Sequence, residues 1–220
     1  MAKQPPDPPD YGRPVEGPVI SELILLELSH RVRNIFSVVS GMVALSARGH
    51  PEIQPFARAL QARIDALAVA YGYFSPQIAA FSPPSGAETV KGLLRALTAP
   101  YQGERATTVV VHGEDAAIRL RAAGALSLII HELATNAVKH GAFSSETGTV
   151  TLSCAAAEGR YTILWREDGG PPLSGPPSQA GFGMRFCERL AAAAGIDVLR
   201  SWRPEGLEVS ISMPLEALDA

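Results

Sequence analysis

The sequence predicts an α+β protein, in which a helical hairpin precedes a domain of mixed strands and helices with one sheet covered on one face. Three observations carry this reading. Between residues 19 and 74, apolar side chains recur at spacings of three and four, the period of helices buried on one side. Ser75-Pro76 and Phe81-Ser82-Pro83-Pro84-Ser85-Gly86 then mark a linker. Beyond about residue 88, short β-branched segments alternate with helical ones. The chain divides into a disordered Pro-rich tail (1–18), a helical hairpin (19–80) and a mixed domain (86–220).

Residues 19–48 read as one helix. Leu25, Leu28, Val32, Ile35, Val39 and Met42 form a heptad seam; with Leu25 at position a and Leu28 at d, His30 falls at f, on the solvent side. Gly49-His50-Pro51 ends this helix and starts a second, since glycine closes helices and proline suits a first turn. Ile53, Phe56, Leu60, Ile64, Leu67, Tyr71 and Phe74 form the second apolar stripe. Two such helices cannot hide both stripes from water. Pairing two chains into a four-helix bundle does, so a homodimer through residues 19–80 is expected.

The mixed domain follows in order. Glu88–Ala99 reads as a helix, Thr107–His112 as a β-branched strand, and Arg121–Lys139 as a helix with an apolar first half. Strands are predicted at 148–156 and 160–167, a helix at 183–194, and a closing hairpin at 197–202 and 206–213.

Composition narrows the function classes. At 46% apolar, the 220 residues can build a real core. A formal net charge of −3 gives no electrostatic basis for nucleic acid or an anionic membrane. Cys154 and Cys187 form no CxxC pattern, so free thiols in a reducing cytoplasm are expected. No apolar run approaches the ~20 residues of a membrane span, and the N-terminal segment has no signal-peptide core. The length leaves no room for a separate sensor domain, so a sensor would come from another protein.

The chemistry concentrates in His131-Glu132-Leu133-Ala134-Thr135-Asn136-Ala137-Val138-Lys139-His140-Gly141. At 3.6 residues per turn, Glu132, Asn136, Lys139 and His140 share a helix face. A carboxylate, an amide oxygen and a cation suit a magnesium-bound polyphosphate, which needs hard oxygen ligands and charge neutralisation. Asn136 is the candidate Mg²⁺ ligand, Lys139 and His140 the phosphate donors, and Glu132 the group that orders a metal-bound water or orients an incoming imidazole. Downstream, the strand Tyr161–Glu167 runs into the turn Asp168-Gly169-Gly170-Pro171-Pro172. Gly181-Phe182-Gly183-Met184-Arg185 opens a helix whose free N–H groups suit an anion, with Arg185 as an added cation. Each segment alone is a weak signal, and their order and spacing make them a joint one.

In these motifs the sequence resembles bacterial sensor histidine kinases of the HWE family, from about residue 22 to about 215. His131 stands in the asparagine box, and Trp165 and Glu167 in the Trp-x-Glu strand. Glu27-Leu28-Ser29-His30-Arg31-Val32-Arg33-Asn34 is similar to the phosphoacceptor box, with His30 the phosphorylated residue; Ser29 and Arg33 replace the usual asparagine and lysine. The resemblance implies a Bergerat-type α/β-sandwich ATP-binding fold with a reduced ATP lid between Pro172 and Gly181. It implies ATP and Mg²⁺ as cofactors and an aspartate on a response-regulator receiver domain as acceptor. It places Gly170, Gly181, Gly183 and Arg185 in the ATP site and aligns Glu167 with the acid that reads the adenine amino group, Asp168 being the alternative. A competing reading is a histidine phosphotransferase or regulator phosphatase whose nucleotide domain is degenerate.

Overall fold

The structure is a computed structural model that describes residues 18–73, 88–102, 108–176 and 182–218; for residues 18–30 and 182 it describes the backbone alone. Residues 1–17 of the expected 1–18 tail, Phe74, the whole of the 75–86 linker and Gly181 lie outside the described residues, as do the side chains of Leu25, Leu28 and His30.

Two helices, α1 (Pro18–Ser46) and α2 (Gln54–Tyr73), form the hairpin. They run antiparallel: the Gln61 amide donates to the Ser40 carbonyl at 3.3 Å, and Phe36 meets Tyr71 edge-on at 6.2 Å between ring centroids. Ala57, Ile64, Ala66 and Ala70 of α2 are buried. From Ile35 to Met42 the seam is not covered within one chain. Ile35 is 58% exposed and Met42 62%, and Val38, Leu45, Ile53 and Phe56 are exposed beside them.

The rest of the chain forms α3 (Val90–Thr98), β1 (Thr108–Gly113), α4 (Leu120–His140), β2 (Thr149–Ala157), β3 (Arg160–Asp168), α5 (Phe182–Ala193), β4 (Asp197–Arg203), β5 (Gly206–Pro214) and a short α6 (Leu215–Leu218). The expected helix at Glu88 begins at Val90 because the Thr89 side chain accepts from the Gly92 N–H and caps it. The five strands make one sheet in the order β1-β2-β3-β5-β4. β1 and β2 are parallel, joined by the α4 crossover, and the remaining pairs are antiparallel.

Alternation along the strands makes the sheet two-faced. Val150, Leu152 and Cys154 of β2, Tyr161, Ile163 and Trp165 of β3, and Val209, Ile211 and Met213 of β5 are buried on one side. Leu93, Leu94, Leu126, Ile129, Ile130 and Leu133 of α3 and α4 join them in the same core. Ser210, Ser212, Thr162 and Arg166 lie on the alternate phase, which is polar. This is the helices-over-one-face arrangement that the alternation predicted. α2 packs along α4, with Leu67 beside Gly124, and its end is fastened to α3: the Tyr73 hydroxyl donates to the Thr89 carbonyl and accepts from the Thr89 N–H, both at 3.2 Å. Cys154 and Cys187 are buried free thiols.

Candidate functional site

The site grows from the last two turns of α4. The first half of the helix is apolar and buried, which leaves polar residues of the second half along its edge. Asn136 is half-buried there, and Lys139 and His140 are exposed. Among the described residues no cluster of three or more His, Cys, Asp or Glu could hold a metal ion. A divalent cation here would depend on the Asn136 amide oxygen and on oxygens carried by the ligand. That donor set suits Mg²⁺, which keeps its waters and favours phosphate oxygens.

Behind this end of α4 sits the β3 acid. Glu167 is 2% exposed, in the same strand phase as buried Trp165 and facing the helices. Its carboxylate accepts the Trp165 indole N–H at 3.1 Å and the Ala142 backbone N–H at 2.8 Å. A side chain at Gly141 would clash with Glu167 Oε2. The acid therefore ties the sheet to the backbone just beyond α4, where only glycine leaves room. Burial raises the Glu167 pKa, and the two hydrogen bonds work against that shift. Asp168, one position on, has the opposite phase and is exposed. Gly170 packs on the Gly141–Ala142 backbone, so the turn after β3 lies against the end of α4.

Glu132 lies in a different setting. One turn before Asn136, it forms an ion pair with Arg63 of α2 at 2.8 Å, the two side chains 14% and 9% exposed. Gly183, at the start of α5, packs directly onto this pair: a Cβ there would clash with Glu132 Oε2 and lie 2.6 Å from Arg63 Nη2. The close approach read from the sequence as a place for phosphate is made here by a carboxylate. The Phe186 ring lies 5.7 Å from the Arg63 guanidinium carbon. His131, beside Glu132, is half-buried; burial holds its pKa below the ordinary imidazole value, with Arg63 and Lys139 adding to the shift and Glu132 and Asp65 opposing it. Arg185 is exposed on α5.

The structure thus brings Asn136, Lys139, His140, Glu167 and Gly170 to one end of α4, and Glu132 with Gly183 to its α2-facing side. Sequence reasoning missed Arg63. A signal was present: the residue falls in the apolar stripe of its helix, between Leu60 and Leu67, where a cation needs a buried anion. His112 and His50 stand apart, His112 against Ser153 at 3.0 Å and His50 against Glu52 at 3.2 Å, both exposed.

The sheet order, with α4 over it, is that of a histidine-kinase domain fold. The histidine kinase domain of the Erythrobacter litoralis EL346 blue-light-activated histidine kinase matches with a TM-score of 0.56 at 21% identity, covering 91% of this chain and 97% of that domain. The larger structure of that kinase gives 0.62 at 20%, covering 89% of this chain and 61% of the other. The HWE histidine kinase family model matches residues 27–115. Among curated proteins, blue-light-activated histidine kinase 1 of Erythrobacter litoralis is 32% identical over 194 residues, 87% of this chain and 53% of that protein. The blue-light-activated histidine kinase of Brucella anthropi is 28% identical over 202 residues, 89% and 39% of the two chains. Together these matches support an HWE-family histidine kinase. This chain spans about half or less of the length of these curated relatives.

Proposed function

We propose that the protein is an ATP-dependent protein histidine kinase that phosphorylates itself on His30 and passes the phosphoryl group to an aspartate of a response-regulator receiver domain. The supporting observation is the convergence at the end of α4 of Asn136, Lys139 and the Trp165–Glu167–Ala142 tie, residues far apart in sequence that suit one nucleotide. In this reading Asn136 holds Mg²⁺ on the phosphates, which neutralises charge that builds up during transfer. Lys139 and Arg185 add positive charge on the phosphate side, with His140 as a further donor; all three are exposed. Glu167 accepts from the adenine amino group with lone pairs its two existing bonds leave over, and Gly170 and the Gly181–Gly183 turn border the nucleotide. His30 attacks through a neutral ring nitrogen, since imidazolium has no lone pair, and Glu132 orients that ring or a metal-bound water.

Incubation with labelled Mg-ATP, followed by acid and alkali, tests the reading, because phosphohistidine is acid-labile and alkali-stable. His30→Ala should abolish labelling without changing nucleotide affinity. Asn136→Ala should abolish the stabilisation that Mg-ATP confers, about 2.7 kcal/mol at a hundredfold excess over Kd. Equal stabilisation of parent and Asn136→Ala, with no label on either, would instead favour the degenerate-domain phosphotransferase.

A further inference from the structure

The two edges of the sheet are finished differently. β1 is one edge, and α3 caps its outward carbonyls: Lys91 Nζ donates to Gly113 at 2.7 Å and Arg95 Nη2 to Val111 at 3.4 Å. Cations laid over an edge discourage further pairing. β4, the other edge, has no such cover. It joins β5 through the turn Pro204-Glu205, which closes on the pair Arg203 and Gly206. Hydrogen-bonded pairs alternate along an antiparallel ladder, so Ser201, Leu199 and Asp197 also bond β5. The N–H and C=O groups of Val198, Arg200 and Trp202 therefore point away from the sheet. Among the described residues nothing bonds them.

This edge is complementary to a second copy of itself. An antiparallel partner strand engages all of the free groups in one register, with Arg200 opposite Arg200 and Val198 opposite Trp202. A slip of two residues one way sets Pro204, which has no N–H, against Val198. A slip the other way sets Trp202 against Ile196, whose N–H is held by the Ala191 carbonyl at 2.8 Å. On the open face the full register places Asp197 across from Arg203 at both ends. It also brings the two Leu199 side chains, each 71% exposed, into diagonal contact. On the helix face it pairs Val198 with Trp202, a β-branched residue with an aromatic one. A groove of about 580 Å³ lies beside Val198, with Ala191, Ala192 and Ile196 along it, and leaves room for that indole. The two Arg200 cations that meet at the axis are each paired at home with Glu188 at 2.9 Å. The tail before α1 competes poorly for the edge, because Pro5, Pro6, Pro8, Pro9 and Pro14 interrupt its N–H groups.

We propose that β4 is a docking edge for the β4 of a second copy, joining two sheets into one across a two-fold axis. The contact is separate from the hairpin seam and independent of the kinase reading. The axis stands perpendicular to the joined sheet, so the helices of both copies lie on the same side. One strand pair buries little area, which makes this the weaker, concentration-dependent contact of the two. Hairpin dimers joined through it extend into larger assemblies.

The test uses the full chain carrying Ile35→Lys, which weakens the hairpin seam. Light scattering follows its mass from about 5 to about 500 μM, where small transient contacts form. The mass should climb from one chain toward two. Should the seam survive Ile35→Lys, the climb starts at two chains and heads toward four. A spin label on Ser201→Cys, exposed while the native thiols are buried, should show a separation under about 20 Å, the strand spacing plus two tethers, that grows in with the mass. Leu199→Lys alters a solvent-facing side chain, and Val198→Pro removes an N–H that β5 does not use; each should abolish both signals. Asp197→Lys sets like charges opposite Arg203 at two symmetric places and should weaken association about tenfold. A mass that stays flat, a rise without the short separation, or a rise that persists in Leu199→Lys overturns the docking edge. Should Val198→Pro fail to fold, Leu199→Lys decides alone.

Discussion

At the scale of single residues, neighbouring acids differ in environment far more than in chemistry. Glu167 and Asp168 adjoin, yet one is buried against two donors and the other faces solvent. Removing the first leaves an indole N–H and a backbone N–H unpaired inside the protein, which costs about 3 kcal/mol. Removing the second strips a solvated surface group and should cost almost nothing. Glu167→Ala should therefore lower the unfolding midpoint and, if the acid also accepts from adenine, erase the preference for ATP over GTP. Asp168→Ala should do neither. Thermal melts and competitive nucleotide binding on the two variants check this. A loss of ATP preference in Asp168→Ala alone would transfer the adenine contact to that residue.

At the scale of elements, the α2–α4 interface carries its own titration. Burial holds the His131 pKa below the ordinary value near 6.5, so the native state prefers the neutral ring. As pH falls below 6.5 the unfolded chain takes up the proton first. The unfolded state then binds more protons, and stability declines until the native His131 titrates as well. The difference in unfolding free energy between the parent and His131→Gln should thus be constant above neutral pH and shift against the parent on acidification. Chemical denaturation at stepped pH measures it, and a flat difference would show that His131 has no share in acid sensitivity. Helices and strands were legible in the sequence because their periods come from local burial: the α4 and β3 patterns differ from expectation by a residue or so at their ends. The short α6 and the 3-10 turns Ala99–Tyr101 and Ala142–Ser144 were not, being too brief to show a period. Asn136, Lys139 and Glu167 were legible as polar interruptions of apolar segments. The partnership of Arg63 with Glu132 was not, because it joins residues on two domains and no local spacing encodes which anion a buried cation meets.

At the scale of the whole molecule, the hairpin is the part left unfinished by a single chain. Ile35, Val38, Met42 and Leu45 on α1 and Ile53 and Phe56 on α2 are exposed together. At about 25 cal/mol per Å² of apolar surface, such a face in water costs several kcal/mol, which a second copy would recover. We expect a homodimer through the hairpins. Light scattering across a dilution series should report twice the chain mass at micromolar concentration, and Ile35→Lys should reduce it to the monomer mass while leaving ATP binding intact. A parent that scatters as a monomer would leave that face to another partner.

The indole of Trp165 also makes the protein its own optical probe. Among the two tryptophans of the chain, Trp202 lies half-buried on β4, whereas Trp165 is enclosed and donates to the carboxylate proposed to meet the base. Indole emission responds to a charge held at its nitrogen, and a nucleotide engaging Glu167 would redistribute that charge without touching the ring. In a Trp202→Phe protein, excitation of the remaining tryptophan should give an emission spectrum that moves on addition of Mg-ATP and saturates with its binding curve. The same titration of Asn136→Ala should leave the spectrum still, so that occupancy is read from light alone, with no label and no turnover.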